Sequence, residues 1–390
     1  MRNKIVWVVP EIKGGIQTYA AALWPAVRGA CGVAEMDSCE PLYLGRDQRG
    51  AAVGKLKALA PTLIHIQHEY GLFGGKVPPF YRFPAWIKKL RKALPEARIV
   101  ATGHTVLDSE FRYSVAGRGV QAPLRWVANH SVVPLLTRRW NRGTWGVLDG
   151  VIVHSGQQQL TVSGAGSAKV QVIPHYVPGL PFGVNARPVS RNPIAVPALA
   201  GIPPEESVII VFGYVSPEKG QNVAIEAFSR LRVPARLILA GGLRREKDRF
   251  YFERCEALIR EKGLGDRVKI SGFVPEEQIT ALYARATLVL VPFVETSGSG
   301  SLAQAFARHA PVLASDLSLN REIAEREAGA LAFFKSGDAG DCARQLEVLL
   351  GDEPARNKLR EASSRYAEQC SPSRVAEQHL EFYRLISEGI

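Results

Sequence analysis

VLVPFVETSGSGSLAQAFARHAPVLASD, residues 289–316, decides how the rest of the chain is read. Residues 288–294 and 311–314 are apolar runs of strand length. Between them, Glu295, Thr296, Ser297, Gly298, Ser299, Gly300 and Ser301 open a segment without a β-branched run. The pattern predicts a buried strand, a small-residue loop, a helix and a second buried strand. Amide N–H groups and hydroxyls gather where such a helix starts, and the helix dipole adds positive potential, so the terminus attracts anions, phosphates above all. Ser and Gly that only cap an ordinary turn would read the same way.

Working outward, both halves of the chain alternate short apolar runs with amphipathic stretches, as a parallel sheet covered by helices does. Strands are expected at 4–9, 63–67, 98–102, 150–154 and 170–173, then at 207–212, 236–240, 268–271, 288–291 and 312–314. Between the two sets lies IPHYVPGLPFGVNARPVSRNPIAVPALAGIPP, rich in proline and free of acidic residues, which resists regular structure and reads as a hinge. The expected architecture is α/β. Two Rossmann-like doubly wound domains, residues 1–185 and 186–372, face each other across a cleft, and a closing helix near 373–390 packs back on the first. Open parallel sheets bind ligands at the carboxyl ends of their strands, so the cleft is the expected site.

At 390 residues, two domains are the natural expectation. A hydrophobic share of 46% and a charged share of 22% are those of a soluble globular chain. The sequence has no run of about 18 apolar residues and no signal-peptide pattern, so a cytoplasmic protein is expected. Cys31, Cys39, Cys255, Cys342 and Cys370 are odd in number and make no C-x-x-C pair, which fits a reducing compartment and suggests neither a disulfide framework nor a zinc site. The net charge of +12 is unevenly placed: residues 1–200 carry 24 Lys and Arg against 10 Asp and Glu, residues 201–390 carry 25 against 27. FPAWIKKLRKALPEAR sets Lys88, Lys89, Arg91 and Lys92 on a helix with Trp86, Ile87 and Leu90, and Arg112, Arg118, Arg125, Arg138, Arg139 and Arg142 follow. Such a surface suits an anionic membrane face or a lipid-phosphate acceptor, which would make the protein peripheral on the inner face; a solvated helical face is the alternative. No nucleic-acid-binding module is present, and no nucleic-acid partner is expected.

Several motifs lie where strands end. In PEIKGGIQTYAAAL, Gly14 and Gly15 let the backbone approach a ligand at a helix start, although a plain Gly-Gly turn needs none. HIQHEYGLFGG places Gln67, His68, Glu69 and Tyr70 at a strand end; the spacing is not that of a metal site, and these groups either hold sugar hydroxyls or orient the loop. His104 follows a buried run in VATGHTVLD. In VIIVFGYVSPEKGQNVAIEAF, Gly213 precedes a turn carrying Lys219, which can reach a phosphate as a mobile point charge or be an ordinary surface lysine. LAGG and SGFVPEEQITALYARA close the later strands.

Taken together, GGIQTYA, QHEYGLFGG, His104, DGVIVHS, VIPHYV, FGYVSPEKG, LAGG, ISGFVPEEQITALYARA and the loop-helix before APVLASD resemble the family-4 glycosyltransferases, retaining enzymes of the GT-B fold. The resemblance runs over nearly the whole length. It implies a second domain that holds a nucleotide diphosphate sugar as co-substrate, with no metal or other cofactor, and a first domain that holds a glycan, lipid-linked or small-molecule acceptor. It assigns Lys219 to the diphosphate, Gly272, Phe273 and Val274 to the base, and Gly14 and Gly15 to the donor phosphates and sugar. His104 would contact the transferring sugar, and Ser299, Gly300 and Ser301 would bind the diphosphate beside Gly213. His68, Glu69 and Tyr70 stand on the acceptor side.

Two departures stand out. The family's E-x7-E pair falls on Thr296 and Gln304, with Glu295 displaced by one residue; Gln304 can still hydrogen-bond a ribose, without a charged acceptor's strength. Tyr214 replaces an arginine, leaving Arg244 or Arg245 to share the diphosphate. The resemblance therefore implies a metal-independent retaining hexosyltransferase with Lys219, His104 and Glu295 at the reacting centre, of the kind that builds bacterial polysaccharides and glycoconjugates. A catalytically silent nucleotide-sugar-binding subunit and a GT-B sugar-nucleotide epimerase are the alternatives.

Overall fold

The computed structural model describes residues 4–11, 15–33, 36–38, 40–74, 81–107, 131, 133–166, 169–179, 195–243, 245–295 and 300–388. They form two compact units, Met1–His175 with Pro372–Ile390, and Tyr176–Ser371. The expected boundary at 185/186 lies outside the described residues.

The second unit is built on six parallel strands: β8 Ser207–Phe212, β9 Ala235–Ala240, β10 Val268–Ile270, β11 Leu288–Val291, β12 Val312–Ser315 and β13 Ala332–Phe334. Among the described residues their order is β10-β9-β8-β11-β12-β13. The near-continuous Val/Ile/Leu runs follow from burial on both faces. Successive side chains of a strand point to opposite faces, so Val208, Ile210, Val289, Val291, Val312 and Ala314 enter one core layer. Ile209, Val211, Leu288, Leu290 and Leu313 enter the other. Burying each of these Val, Ile and Leu side chains contributes about 1.5–3 kcal/mol relative to exposing it. Strand order reverses between β8 and β11, and an open doubly wound sheet takes its ligand outside the carboxyl ends at such a switch point. The loops that follow these two strands begin at Gly213 and Pro292.

The first unit holds seven strands among the described residues: β1 Lys4–Pro10, β2 Asp37–Ser38, β3 Leu42–Leu44, β4 Leu63–His68, β5 Arg98–Gly103, β6 Gly150–Val153 and β7 Val170–Val172. Their order is β2-β1-β4-β5-β6-β7, with β3 also pairing with β1, and every pairing is parallel. The carboxyl ends of β4, β5, β6 and β7 therefore lie on one edge of the sheet.

The helix Pro372–Ser387 closes the chain on this unit, burying Val375, Leu380, Phe382, Tyr383 and Ile386. Its Tyr383 hydroxyl accepts a hydrogen bond from Trp7 Nε1 at 3.1 Å and meets His65 Nδ1, while His65 Nε2 meets Thr102 Oγ1 at 2.7 Å. The helix Phe83–Ala93 turns Phe83, Trp86, Ile87 and Leu90 into the core, and Trp86 Nε1 donates to the Arg49 carbonyl at 2.9 Å. The apolar side of the expected cationic surface is thus spent inside the unit, and Lys88, Lys89 and Lys92 remain exposed.

Candidate functional site

The groups at the switch point of the second sheet are fixed by backbone contacts. Gly213 has φ +123° and donates its N–H to the Ala240 carbonyl at 3.0 Å. A Cβ there would lie 2.8 Å from Ser301 Oγ, so the turn after β8 sits directly against the first residues of the helix Gly300–Ala307. Gly220, at φ +65°, ends the turn that carries Lys219, and a Cβ on it would come within 1.9 Å of the Pro292 carbonyl oxygen. The Val294 N–H donates to the Glu218 carbonyl at 3.1 Å. The Pro217–Lys219 turn and the segment after β11 are thereby clamped together, and Lys219 Nζ stands 3.7 Å above the centre of the buried Phe293 ring. A cation on the one loop and a helix start against the other thus lie at the same switch point, the kinds of group that attract a polyanion.

The remaining predicted donor residues surround this core. Arg245 pairs with Asp248 at 2.8 Å and reaches Glu218, the neighbour of Lys219, at 3.7 Å. Phe273 is exposed and Val274 buried, and the Gly242 and Phe273 backbones run side by side. Tyr214 is half-exposed, with its carbonyl accepting from Gln221 Nε2 at 3.0 Å. Glu295 is exposed, and its N–H also points at the Glu218 carbonyl, at 3.4 Å. Gln304 gives its side-chain carbonyl to Arg308, whose guanidinium lies over Tyr283 at 5.2 Å. Burial lowers the pKa of Arg308 from its ordinary value. Gly14, Arg244, Thr296 and Ser299 lie outside the described residues, while Gly15 opens the helix Gly15–Val33 of the first unit.

In the first unit the predicted residues divide. His68 is buried, with Nε2 2.8 Å from the Tyr81 hydroxyl and its ring among Tyr70, Phe83 and Trp145 at 4.7–4.9 Å. Desolvation in this aromatic cage takes its pKa down to about 3. Tyr70 is buried in the same cluster, and the Glu69 side chain folds over Gly71. His104 instead sits just past β5, its Nε2 2.8 Å from Gln67 Oε1 and its Nδ1 3.3 Å from His154 Nε2. His154 Nδ1 lies 3.0 Å from the Ile173 carbonyl. The Tyr19 ring meets His104 and His175 edge-on, each at 4.8 Å, and His154 at 5.5 Å. Burial and the neighbouring imidazoles hold the pKa of His104 well below the ordinary value, and burial takes His154 to about 3.

His154, His175 and Tyr19, which the structure groups with His104, were not among the expected site residues. The available signal was positional: DGVIVHS and VIPHYV each place a histidine just past a strand, and GGIQTYA faces both with a tyrosine. Among the described residues no group of three or more His, Cys, Asp or Glu could hold a metal ion. No helix among them is long and apolar enough to cross a membrane.

Residues 197–366 match the family described as glycosyl transferases group 1. The chain is 27% identical over 340 residues to a protein of Mycolicibacterium smegmatis named D-inositol 3-phosphate glycosyltransferase, covering 85% of this chain and 70% of that one. A Mycobacterium tuberculosis protein of the same name is 26% identical over 392 residues, covering 96% and 75%. Sucrose-phosphate synthase from Thermosynechococcus elongatus superimposes with a TM-score of 0.71 at 18% identity, covering all of both chains. Anabaena HepE, solved in complex with UDP, gives 0.71 at 16% identity, covering 98% of this chain and 99% of that one.

The fold is GT-B. The family and relatives support a glycosyltransferase, and within the GT-B fold the segment matched by the family contains the whole Gly213, Lys219 and Gly300 constellation.

Proposed function

We propose that the protein is a retaining glycosyltransferase that moves a hexose from a nucleotide diphosphate sugar to an acceptor hydroxyl. The observation that carries this reading is the contact of the Gly213 turn with the start of helix Gly300–Ala307, together with the clamping of the Lys219 turn to the segment after β11, both at the reversal of strand order. When the bond between the sugar's anomeric carbon and the diphosphate oxygen breaks, negative charge grows on the leaving group. Lys219 and the amides near Gly300 stabilise it, and preorganised groups of this kind are usually a large catalytic term. The acceptor oxygen bonds to the same face of the sugar, and its proton passes to the leaving phosphate. No side chain is assigned as a nucleophile, and no metal is given a step. Glu295 and His104 orient the sugar, and the loop at Phe273 and Val274 receives the base.

HepE structures hold UDP or UDP-glucose, which favours a uridine nucleotide here. The relatives' name and the basic first half favour an anionic acceptor such as a polyol phosphate or a lipid-linked phosphate. Exposed Lys88, Lys89, Arg138 and Arg139 with exposed Leu135 suit peripheral contact with an anionic surface.

A catalytically silent binding subunit is the second reading, favoured by the engagement of Gln304 with Arg308 where the family carries a ribose-binding glutamate. A thermal-shift panel of UDP-, GDP- and ADP-sugars, followed by an assay for donor hydrolysis, separates the two. Stabilisation with release of nucleoside diphosphate supports the transferase, stabilisation without release supports the silent subunit, and no stabilisation by any donor removes both.

A further inference from the structure

We propose that His154 is a positioning residue that, with Gln67 behind it, locks His104 as the neutral tautomer carrying its proton on Nδ1, so that His104 works by placement and not by proton transfer. The inference rests on the transferase reading for what His104 faces, and on the first unit's own geometry for its protonation.

The chain of contacts has one end that cannot be reversed. A backbone carbonyl only accepts, so His154 Nδ1, 3.0 Å from the Ile173 oxygen, must carry a hydrogen. In a neutral imidazole the other nitrogen is then an acceptor. His154 Nε2 therefore takes a hydrogen from His104 Nδ1 at 3.3 Å. That leaves His104 Nε2 as an acceptor facing the Gln67 side chain at 2.8 Å. Two acceptors do not bond, and the buried Gln67 Nε2, oriented the other way, finds no acceptor. Turning the amide over removes the conflict: Gln67 Nε2 then donates to His104 Nε2, an orientation assigned by the hydrogen-bond network.

The relay thus reads Gln67 to His104 to His154 to Ile173, each group donating to the next. Both ring nitrogens of His104 are consumed within the protein. Tyr19 and His154 pack against the ring, Gln67 stands at its end, and His175 packs in turn against Tyr19 and His154. His65 and His68 bear on it electrostatically. Burial and the other imidazoles all oppose a second proton on His104, consistent with the neutral form the relay requires.

The test is a long-range proton–nitrogen NMR spectrum of the full chain with 15N-labelled histidine, assigned with His104→Gln and His154→Gln. The expected result is Nδ1–H for His104 and His154 with no titration between pH 5.5 and 8. Protonation on Nε2, or a His104 that titrates in that range, overturns the inference and leaves the transferase reading untouched. Loss of all transfer activity with the tautomer intact would count against the transferase reading alone. A paired measurement asks for the functional consequence. His154→Leu removes the acceptor and should lower kcat about tenfold or more, the order of loss when a metal-ligating histidine is deprived of its orienting partner, with little change in donor KM. His154→Gln keeps an acceptor near the Nε2 position and should recover most of the loss. Equal activity in both variants, or a loss that appears only in KM, would overturn the positioning role.

Discussion

Lys219 stands over Phe293, so its substitution separates charge from fold cleanly. Lys219→Ala removes a cation–π contact worth about 0.5–1 kcal/mol, which in a unit of this size shifts the melting midpoint by roughly 2–4 °C at most. Turnover of the nucleotide sugar should fall by about 100-fold or more, the cost of losing one preorganised charge-stabilising group. Steady-state kinetics with a parallel thermal melt checks both numbers, and near-parental turnover would remove Lys219 from the mechanism. Gly213 stood out in the sequence because it follows a predicted strand directly, and Lys219 because it lies in the turn between that strand and the next helix. Phe293, the ring under the lysine, read only as core. His68 shows the opposite case. All six residues of β4 are buried, and the alternation Ile64, His65, Ile66, Gln67 sets His68 on the face of the two isoleucines, which is the face of the aromatic cage, so strand parity argued for a core histidine where its place at the strand end suggested a ligand group.

Among the elements, the closing helix Pro372–Ser387 is tied to β1 and β4 by one hydroxyl. Tyr383→Phe would leave Trp7 Nε1 and His65 Nδ1 without their shared partner inside the core. A buried group left unpaired costs about 1–3 kcal/mol, so the urea midpoint of the first unit should fall. A variant as stable as the parent would show that the helix is held by its apolar face alone. The sequence predicted this helix from its spacing, but the tyrosine's partners are more than 300 residues away and leave no local trace. Ten of the strands were likewise predicted from apolar runs. β2, β3 and β13 were not: unlike the equally short β7 and β10, they carry no β-branched residue. The order of strands, which locates the switch point, depends on pairings that no local window contains.

At the scale of the molecule, the two units differ in how they should respond to acid. His65, His68, His154 and His379 are buried in the first unit, and burial is the main cause holding each below its ordinary value: well below for His65, about 3 for His68 and His154, about 4 for His379. In the unfolded chain each titrates near pH 6.5, so below that pH the unfolded state binds more protons than the folded one. Stability is full above about pH 7 and is lost as pH falls through 6.5 toward 4 and below, by up to roughly 1.4 kcal/mol per pH unit for each histidine. Among the described residues the second unit buries no histidine. All six tryptophans precede residue 150, so tryptophan fluorescence should report an acid transition while far-ultraviolet circular dichroism retains the second unit's share. Coincident transitions by the two probes would contradict this.

The account as a whole depends on a diphosphate being received by Lys219, the Gly213 turn and the start of helix Gly300–Ala307, and calorimetric titration of UDP into the full chain and into Lys219→Ala tests it most directly. The prediction is saturable one-to-one binding by the parent, weakened about tenfold or more in the variant, as loss of a charge-assisted contact requires. Equal affinity in the two proteins, or no binding of UDP, GDP or ADP to the parent, would contradict it.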